Sequence, residues 1–210
     1  MRVTGYHAEA LALFWADIFD RLGHAWFSSG AYNLNLWGVR SPEQESNRFD
    51  DWICCAYRDE RGRWVVYSWP ATTDPGAYWL QNPGRVDGTA ILVPGQYRGA
   101  WSIGLHRGSY EALVQRKPVQ VWRDNNKDKT LDWGRSKAHK GLFGINIHKA
   151  GAKSSQVDRW SAGCQVFSQA AHFADLMALV RKSATTYGDA FTYALIEASA
   201  VEELCQGSKD

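Results

Sequence analysis

The chain has 210 residues, with 24 Lys and Arg against 22 Asp and Glu for a formal net charge of +2, and 45% of its residues are hydrophobic. That length suits one good-sized domain, or a domain with an appendage. A balance this close to neutral excludes any sequence-wide electrostatic case for nucleic acid as a partner.

The first thirty residues read as a helix ending near Ser28, Ser29 and Gly30, with Leu11, Phe14, Trp15, Ile18 and Leu22 on one face. Asp17 and Asp20 interrupt its apolar run and no basic start precedes an unbroken apolar core, so no secretory signal is expected. No apolar run approaches membrane-spanning length, so no membrane-spanning segment is expected either. Residues 37–51 read as a polar loop. They carry Arg48, Asp50 and Asp51; paired acids can do acid–base work, but acids at the start of a strand are commonly just solvated. Residues 52–58 and 63–70 read as a hairpin around the turn chemistry of Asp59, Glu60, Arg61 and Gly62. Cys54 and Cys55 fall inside the first of these strands and read as small core residues. Neighbouring cysteines bridge poorly, and with Cys164 and Cys205 they form no C-x-x-C pair, which argues against a zinc framework or a disulfide scaffold.

Residues 71–88 are loop-rich. Residues 89–108 hold apolar, β-favouring stretches broken by Pro94, Gly95 and Gly99, which predicts two short strands around a bend. Residues 118–124 read as another strand, and residues 125–141 as a polar loop. Asp124, Asn126, Asp128 and Asp132 alternate there as in calcium loops. However, Lys129 occupies the place of the sharp-turn glycine, no bidentate Glu follows, and Lys127 opposes a cation, so a solvated loop is the stronger reading. Residues 142–148 read as a buried strand ending at His148. Phe173, Leu176, Met177 and Val180 have helical spacing behind Ser168, a candidate N-cap, and residues 191–197 read as a last strand. The order predicts a mainly β, α+β fold. Trp64, Trp69, Trp79 and Trp101, from a total of 11 Trp, suit a core better than a sugar platform.

The chemistry concentrates in one stretch. Cys164 stands behind Ser161, Ala162 and Gly163, 16 residues after His148. A cysteine attacks carbonyl carbon as the thiolate, and an imidazole is the natural base for it. Gly163 permits a sharp turn, which would let the backbone N–H groups of Gly163 and Cys164 face a developing oxyanion, with Ser161 orienting one of them. The plainer reading is a small buried Cys and an ordinary His. His172, beside Phe173 on the expected helix, reads as structural, and His7, His24 and His139 have no partners in sequence. A zinc site built from His106, His148 and an Asp stays open as an alternative, without the H-x-x-x-H spacing that would support it.

Residues 145–148 (Ile-Asn-Ile-His) and 161–164 (Ser-Ala-Gly-Cys) together resemble the catalytic signature of the L,D-transpeptidase (YkuD-like) family, cysteine enzymes that cut and rejoin peptidoglycan stem peptides. Residues 52–76 resemble that family's opening hairpin, and residues 92–103 its cleft-lining segment. The order His before Cys also differs from that of papain-like peptidases. The resemblance implies a YkuD-like β-sandwich or barrel over residues 49–198. Residues 1–48 would then be an N-terminal helix and loop appendage, and residues 199–210 a tail. It implies Cys164 as nucleophile, His148 as base, and Ser161 and Gly163 as parts of the oxyanion turn. His106, Arg107, Lys149, Tyr97 and Trp160 become candidate contacts to the stem peptide, with no cofactor and no metal. Four positions depart from the family pattern: Ala162 replaces a His, Gln165 and Val166 replace an apolar residue followed by Arg, and Lys149 replaces a Gly or Ser. With no secretory signal expected, the family analogy suggests action at the cell wall after release, by a phage lysis enzyme passing a membrane hole or by an effector passing a secretion machine. A peptidoglycan-binding module without activity is the alternative of a different class.

Overall fold

The computed structural model describes residues 1–152 and 154–207. Its main body is a closed eight-stranded barrel of β2 (Asn35–Arg40), β3 (Asp51–Arg58), β4 (Trp64–Thr72), β6 (Gly95–His106), β7 (Tyr110–Gln115), β10 (Ile147–Lys149), β11 (Gln165–Phe167) and β12 (Phe191–Glu197). Around the barrel the order is β4, β11, β10, β7, β6, β12, β2, β3 and back to β4. Two neighbouring pairs are parallel, β10 with β11 and β12 with β2; the others are antiparallel. A short β1 (Arg2–Thr4) adds to the edge of β4 that β11 also uses. A separate sheet of β5 (Thr89–Leu92), β8 (Val119–Asp124) and β9 (His139–Gly141) lies beside the barrel.

The mainly β expectation therefore holds at the level of class. The hairpin over residues 52–70 forms as β3 and β4, and its burial explains its composition. Ile53, Cys55 and Tyr57 point into the barrel with Trp69, Trp101 and Phe167. Cys54 and Ala56 point outward and are covered by α1 (Tyr6–Arg21). A strand buried on both faces loses polar alternation. The two adjacent cysteines thus face opposite sides of one strand, and burial pushes the Cys54 thiol up to about 12.

α1 is shorter than the expected thirty-residue helix and is rotated from the expected face. Ala8, Ala12, Ile18 and Phe19 are its buried residues, and Leu11, Trp15 and Leu22 pack at the margin, whereas Phe14 is 40% exposed. Phe19 supplies the aromatic contact instead, meeting Trp26 and Trp37 edge-on. The expected appendage over residues 1–48 contributes α1, β1 and β2, and β2 is hydrogen-bonded between β12 and β3.

Several strands arise where loop or nothing was read. β2 overlaps the polar stretch from residue 37, β7 and β11 were missed, and β9 lies in the polar loop before residue 142. β6 is a long strand of 12 residues, not a short one. Of residues 142–148 only Ile147 and His148 are strand, and the reason is local. The N–H groups of Phe143 and Ile145 are both taken by the Gln115 side-chain carbonyl, each at 3.0 Å, in place of a ladder partner. Ser168 does not cap α3 (Ala170–Tyr187). Gln169 holds that position without a side-chain bond, and Ser168 Oγ donates to the Pro70 carbonyl at 2.9 Å. A short α2 (Ala77–Gln81) and a final α4 (Ala198–Gln206) complete the fold. α4 occupies most of the expected tail, of which residues 208–210 lie outside the described residues. No helix among the described residues is long and apolar enough to cross a membrane.

Candidate active site

β10 and β11 bring the two sequence-predicted groups onto neighbouring strands, two residues apart in register. In their parallel register His148 lies opposite Val166, and Cys164 is two residues before Val166. Side chains two apart on a strand share a face. His148 and Cys164 therefore share the outer face of the barrel, while Ile147 and Phe167 point into its core.

The His148 ring is fixed by its own neighbour. Its Nδ1 lies 2.9 Å from the Lys149 carbonyl oxygen, and the Tyr110 hydroxyl donates to the same oxygen at 3.3 Å. A carbonyl only accepts, so Nδ1 carries the hydrogen and Nε2 presents its lone pair. Nε2 is buried and has no hydrogen-bond partner. The His106 ring stacks on His148 at 4.0 Å between centroids. Asn146 fixes His106 in turn. Its Oδ1 accepts from the Gln115 N–H at 3.0 Å, which directs its amide nitrogen to His106 Nδ1 at 3.1 Å. Burial first, then repulsion from His106, hold His148 down to about 3; the bond to Lys149 opposes both. Burial and Arg107 lower His106 as well.

Cys164 sits at the end of a tight turn. Its Sγ accepts from the Asn146 N–H at 3.4 Å and donates to the Gly144 carbonyl at 3.4 Å. Burial pushes the thiol up, with the Asn146 N–H and Arg107 pulling the other way. The resting pair is thus a neutral thiol and a neutral imidazole, not an ion pair. Ser161, fully buried, staples the turn: its Oγ accepts from the Gly163 N–H at 3.1 Å and donates to the Cys164 carbonyl at 2.8 Å. Gly163 has φ +112°, and a Cβ there would come within 2.3 Å of the Ala90 carbonyl oxygen, so both backbone and space demand glycine. The Gly163 N–H is consumed by Ser161. No acceptor among the described residues takes the Cys164 N–H.

Cys164 as a residue is 9% exposed. A cleft of about 260 Å³ lies along the same turn, lined by Ala162 on one side and by Leu142 and Phe143, just before Gly144, on the other; Cys164 and His148 are not part of its lining.

The remaining expected contacts divide. His106 joins the site directly. Arg107 sits at the exposed β6–β7 turn with φ +49°, near enough for its charge to act on His106, His148 and Cys164. Lys149 contributes its carbonyl, while its Nζ lies 5.0 Å from the centre of the Tyr110 ring. Tyr97 is turned elsewhere: its hydroxyl donates to the Val93 carbonyl at 2.6 Å and its ring packs against Trp101. Trp160 is 42% exposed on the β10–β11 connection, close against Gly151.

Sequence reasoning missed a buried polar network that reaches the turn from inside the barrel. Arg40, fully buried, pairs with Asp74 at 3.0 Å and donates to Thr73 through Nε and Nη2. Asp51 accepts from the Ser41 N–H, the Thr73 N–H and the Thr73 hydroxyl at 2.6 to 2.8 Å. Burial first, then Asp74, raise the Asp51 carboxyl to about 7. Gln165, next to the nucleophile candidate, donates to the Thr73 and Gly163 carbonyls at 3.2 and 3.4 Å and accepts from Tyr193 at 2.9 Å. The available signal was Gln165 itself, a polar residue between Cys164 and an apolar pair.

Among the described residues no three of His, Cys, Asp and Glu come together as a metal site, which removes the structural basis for a zinc centre on His106 and His148. The stretch from Asp124 to Asp132 closes on itself. Asn126 donates to Asp128 and Asp132, the Asp132 N–H donates to Asp124, and Arg135 pairs with Asp132 at 2.6 Å. The exposed carboxylates are taken up by their own loop, whereas Asp124 at its start is buried and keeps Oδ1 without a hydrogen-bond partner. Compared with known protein families and with curated protein sequences, the chain finds no match.

Proposed function

We propose that the chain is a cysteine acyl-transfer enzyme acting on peptidoglycan stem peptides, of the L,D-transpeptidase kind that its Ile-Asn-Ile-His and Ser-Ala-Gly-Cys segments resemble. One observation carries the reading. A buried imidazole nitrogen with a free lone pair shares a barrel face with a cysteine whose turn is stapled from both sides.

The chemistry starts from the neutral pair. As a peptide enters, the S–H leaves the Gly144 carbonyl and gives its proton to His148 Nε2. The sulfur attacks the amide carbonyl carbon on the carboxyl side of the L-centre of the stem diamino acid. The Cys164 N–H holds the oxyanion, while Ser161 keeps the turn in register by binding the Gly163 N–H. The C–N bond then breaks, and the proton on Nε2 goes to the departing amine. A thioester remains. Water or a second amine gives its proton to Nε2 and bonds to the carbonyl carbon, the C–S bond breaks, and the proton returns to sulfur. Water makes the net reaction hydrolysis; an amine makes it transpeptidation or exchange. The Lys149 carbonyl, holding Nδ1–H, steadies the imidazolium formed midway. The place of action under this reading is the cell wall.

A second reading has its own support: the thiol is buried and protonated, as in a module that binds stem peptides without cutting them. Incubation with purified muropeptides followed by mass analysis separates the two. Loss of D-alanine, cleaved cross-links or exchanged D-amino acids, each abolished by Cys164→Ala, supports the enzyme. Unchanged muropeptides that still bind both forms of the protein support the module.

A further inference from the structure

We infer that the cleft beside Ala162 is a carboxylate subsite, in which Arg123 takes the free C-terminal carboxylate of the peptide whose adjacent amide meets Cys164. The inference rests on the acyl-transfer reading for its alignment with the thiol, but the recognition chemistry belongs to the cleft alone.

Arg123 lines this cleft with its side chain only 7% exposed. Its Nη1 donates to the Gly88 carbonyl at 3.0 Å, and its guanidinium lies over the Phe143 ring at 5.0 Å. These two contacts pin the group. Its Nε is buried without a hydrogen bond and ion-paired with Asp87 at 3.6 Å, so with Nη1 taken by Gly88, Nη2 is the donor left for the cleft. A buried guanidinium with unused donors is costly unless something accepts from it. Arg85, a second lining residue, is drawn toward Asp87 at 2.9 Å. Two guanidinium groups therefore face one carboxylate, which leaves the wall positive and suited to an anion.

The other walls are apolar and narrow. Phe143, Leu142, Trp79 and Ala90 leave about 260 Å³, which admits a small terminal residue with space to spare. A carboxylate oxygen suits the remaining Nη2 donor, and a small side chain fits within those walls. Ala162 lies two residues before Cys164, and Phe143 adjoins Gly144, whose carbonyl takes the thiol proton. A peptide anchored by its terminus at Arg123 thus lays its last amide at the sulfur. Arg107 and Lys149 do not line this cleft. The consequence is a preference for chain ends, with release or exchange of a terminal D-amino acid, over cleavage of amides inside a cross-link.

The test compares a synthetic stem tetrapeptide ending in D-alanine as the free acid with its C-terminal amide. Binding is measured by calorimetry on full-length Cys164→Ala protein, where turnover is blocked, and D-alanine or D-alaninamide release is measured on the unaltered protein. The expected result is binding of the acid at least about 10-fold tighter than the amide, a difference erased by Arg123→Gln and partly kept by Arg123→Lys. Equal binding of acid and amide, or no binding of either, overturns the subsite, and this comparison does not require any Arg123 variant to fold. Acid-selective binding without Cys164-dependent release from the unaltered protein would keep the subsite and sink the acyl-transfer reading instead.

Discussion

His106 lies nearly flat on His148, with ring centroids 4.0 Å apart and planes inclined by 24°. Two imidazoles so placed cannot both be protonated without mutual repulsion in a site already short of water, and Arg107 adds to the penalty. Burial first, and the stack second, thus keep the base candidate unprotonated, as accepting a proton from a thiol requires.

This has a consequence for stability. The ordinary His value is 6.5 and the folded value of His148 about 3, so the unfolded chain takes up this proton first as pH falls. The contribution is whole above pH 6.5 and is lost progressively between 6.5 and 3, on the order of 3 kcal/mol by pH 4. Asp51 works in the opposite sense. Its folded value of about 7 lies above the ordinary 3.8, so its contribution is present at low pH and lost as pH rises through 7. The two partly cancel in the unaltered protein. Urea unfolding of the wild type and His148→Asn at pH 7 and pH 4 separates them: the variant should gain on the wild type by about 3 kcal/mol at the lower pH. A difference independent of pH would mean that His148 titrates normally.

The turn before Cys164 should tolerate little change. Gly163→Ala forces a Cβ toward the Ala90 carbonyl at a φ of +112°, and should cost about 2 to 3 kcal/mol. Ser161→Ala removes an acceptor from the Gly163 N–H and a donor from the Cys164 carbonyl, and should cost about 2 kcal/mol. Urea midpoints read both losses. A Gly163→Ala protein as stable as wild type would show that the turn can relax away from Ala90.

Thiol labelling should rank the cysteines by environment. Cys205 is exposed on α4, Cys164 is buried with a raised value, and Cys54 and Cys55 are sealed within the two faces of β3. With iodoacetamide at pH 8, peptide mass mapping should find Cys205 modified at least about 10-fold faster than Cys164, and the β3 pair unmodified until the chain unfolds. Rapid labelling of Cys164 at that pH would contradict a neutral resting thiol.

The buried charges at the barrel end should be interdependent. Arg40→Met leaves Asp74 without the guanidinium 3.0 Å away and Asp51 without its nearest cation, and should destabilise by about 3 to 5 kcal/mol. Adding Asp74→Asn to that variant should recover part of the loss, because no unpaired carboxylate then remains at that position. Thermal or urea unfolding of the single and double variants checks the coupling. Additive losses would mean that the two groups act independently.

The sequence made some of this legible for identifiable reasons. The β3–β4 hairpin carried its turn chemistry and its apolar run in plain view, and α3 and β12 carried clear periodicity. The nucleophile and base candidates were legible because Gly163 marks a turn before a cysteine and His148 ends an apolar segment. β2 was hidden because Arg40, at its end, is a charge that the fold buries against Asp74. β11 was hidden because three residues between a loop and a helix are too short to show a period. The lowered His148 was beyond reach, since it depends on His106, which the β6–β7 hairpin brings back from 42 positions earlier. Arg123 was read only as part of a strand, because nothing local announces that its neighbours leave donors unused.

The barrel closes late. β2 sits between β3 and β12, and β6 also takes β12 as its neighbour. Until residues 191–197 leave the ribosome, Asn35–Arg40 and Gly95–His106 each present an unsatisfied edge. Tyr193, which steadies Gln165 beside the thiol, is also missing until then. A nascent chain is therefore expected to carry its sulfur and imidazole without the enclosure that orders them, so that any reactivity toward a peptide begins only once translation has passed that strand.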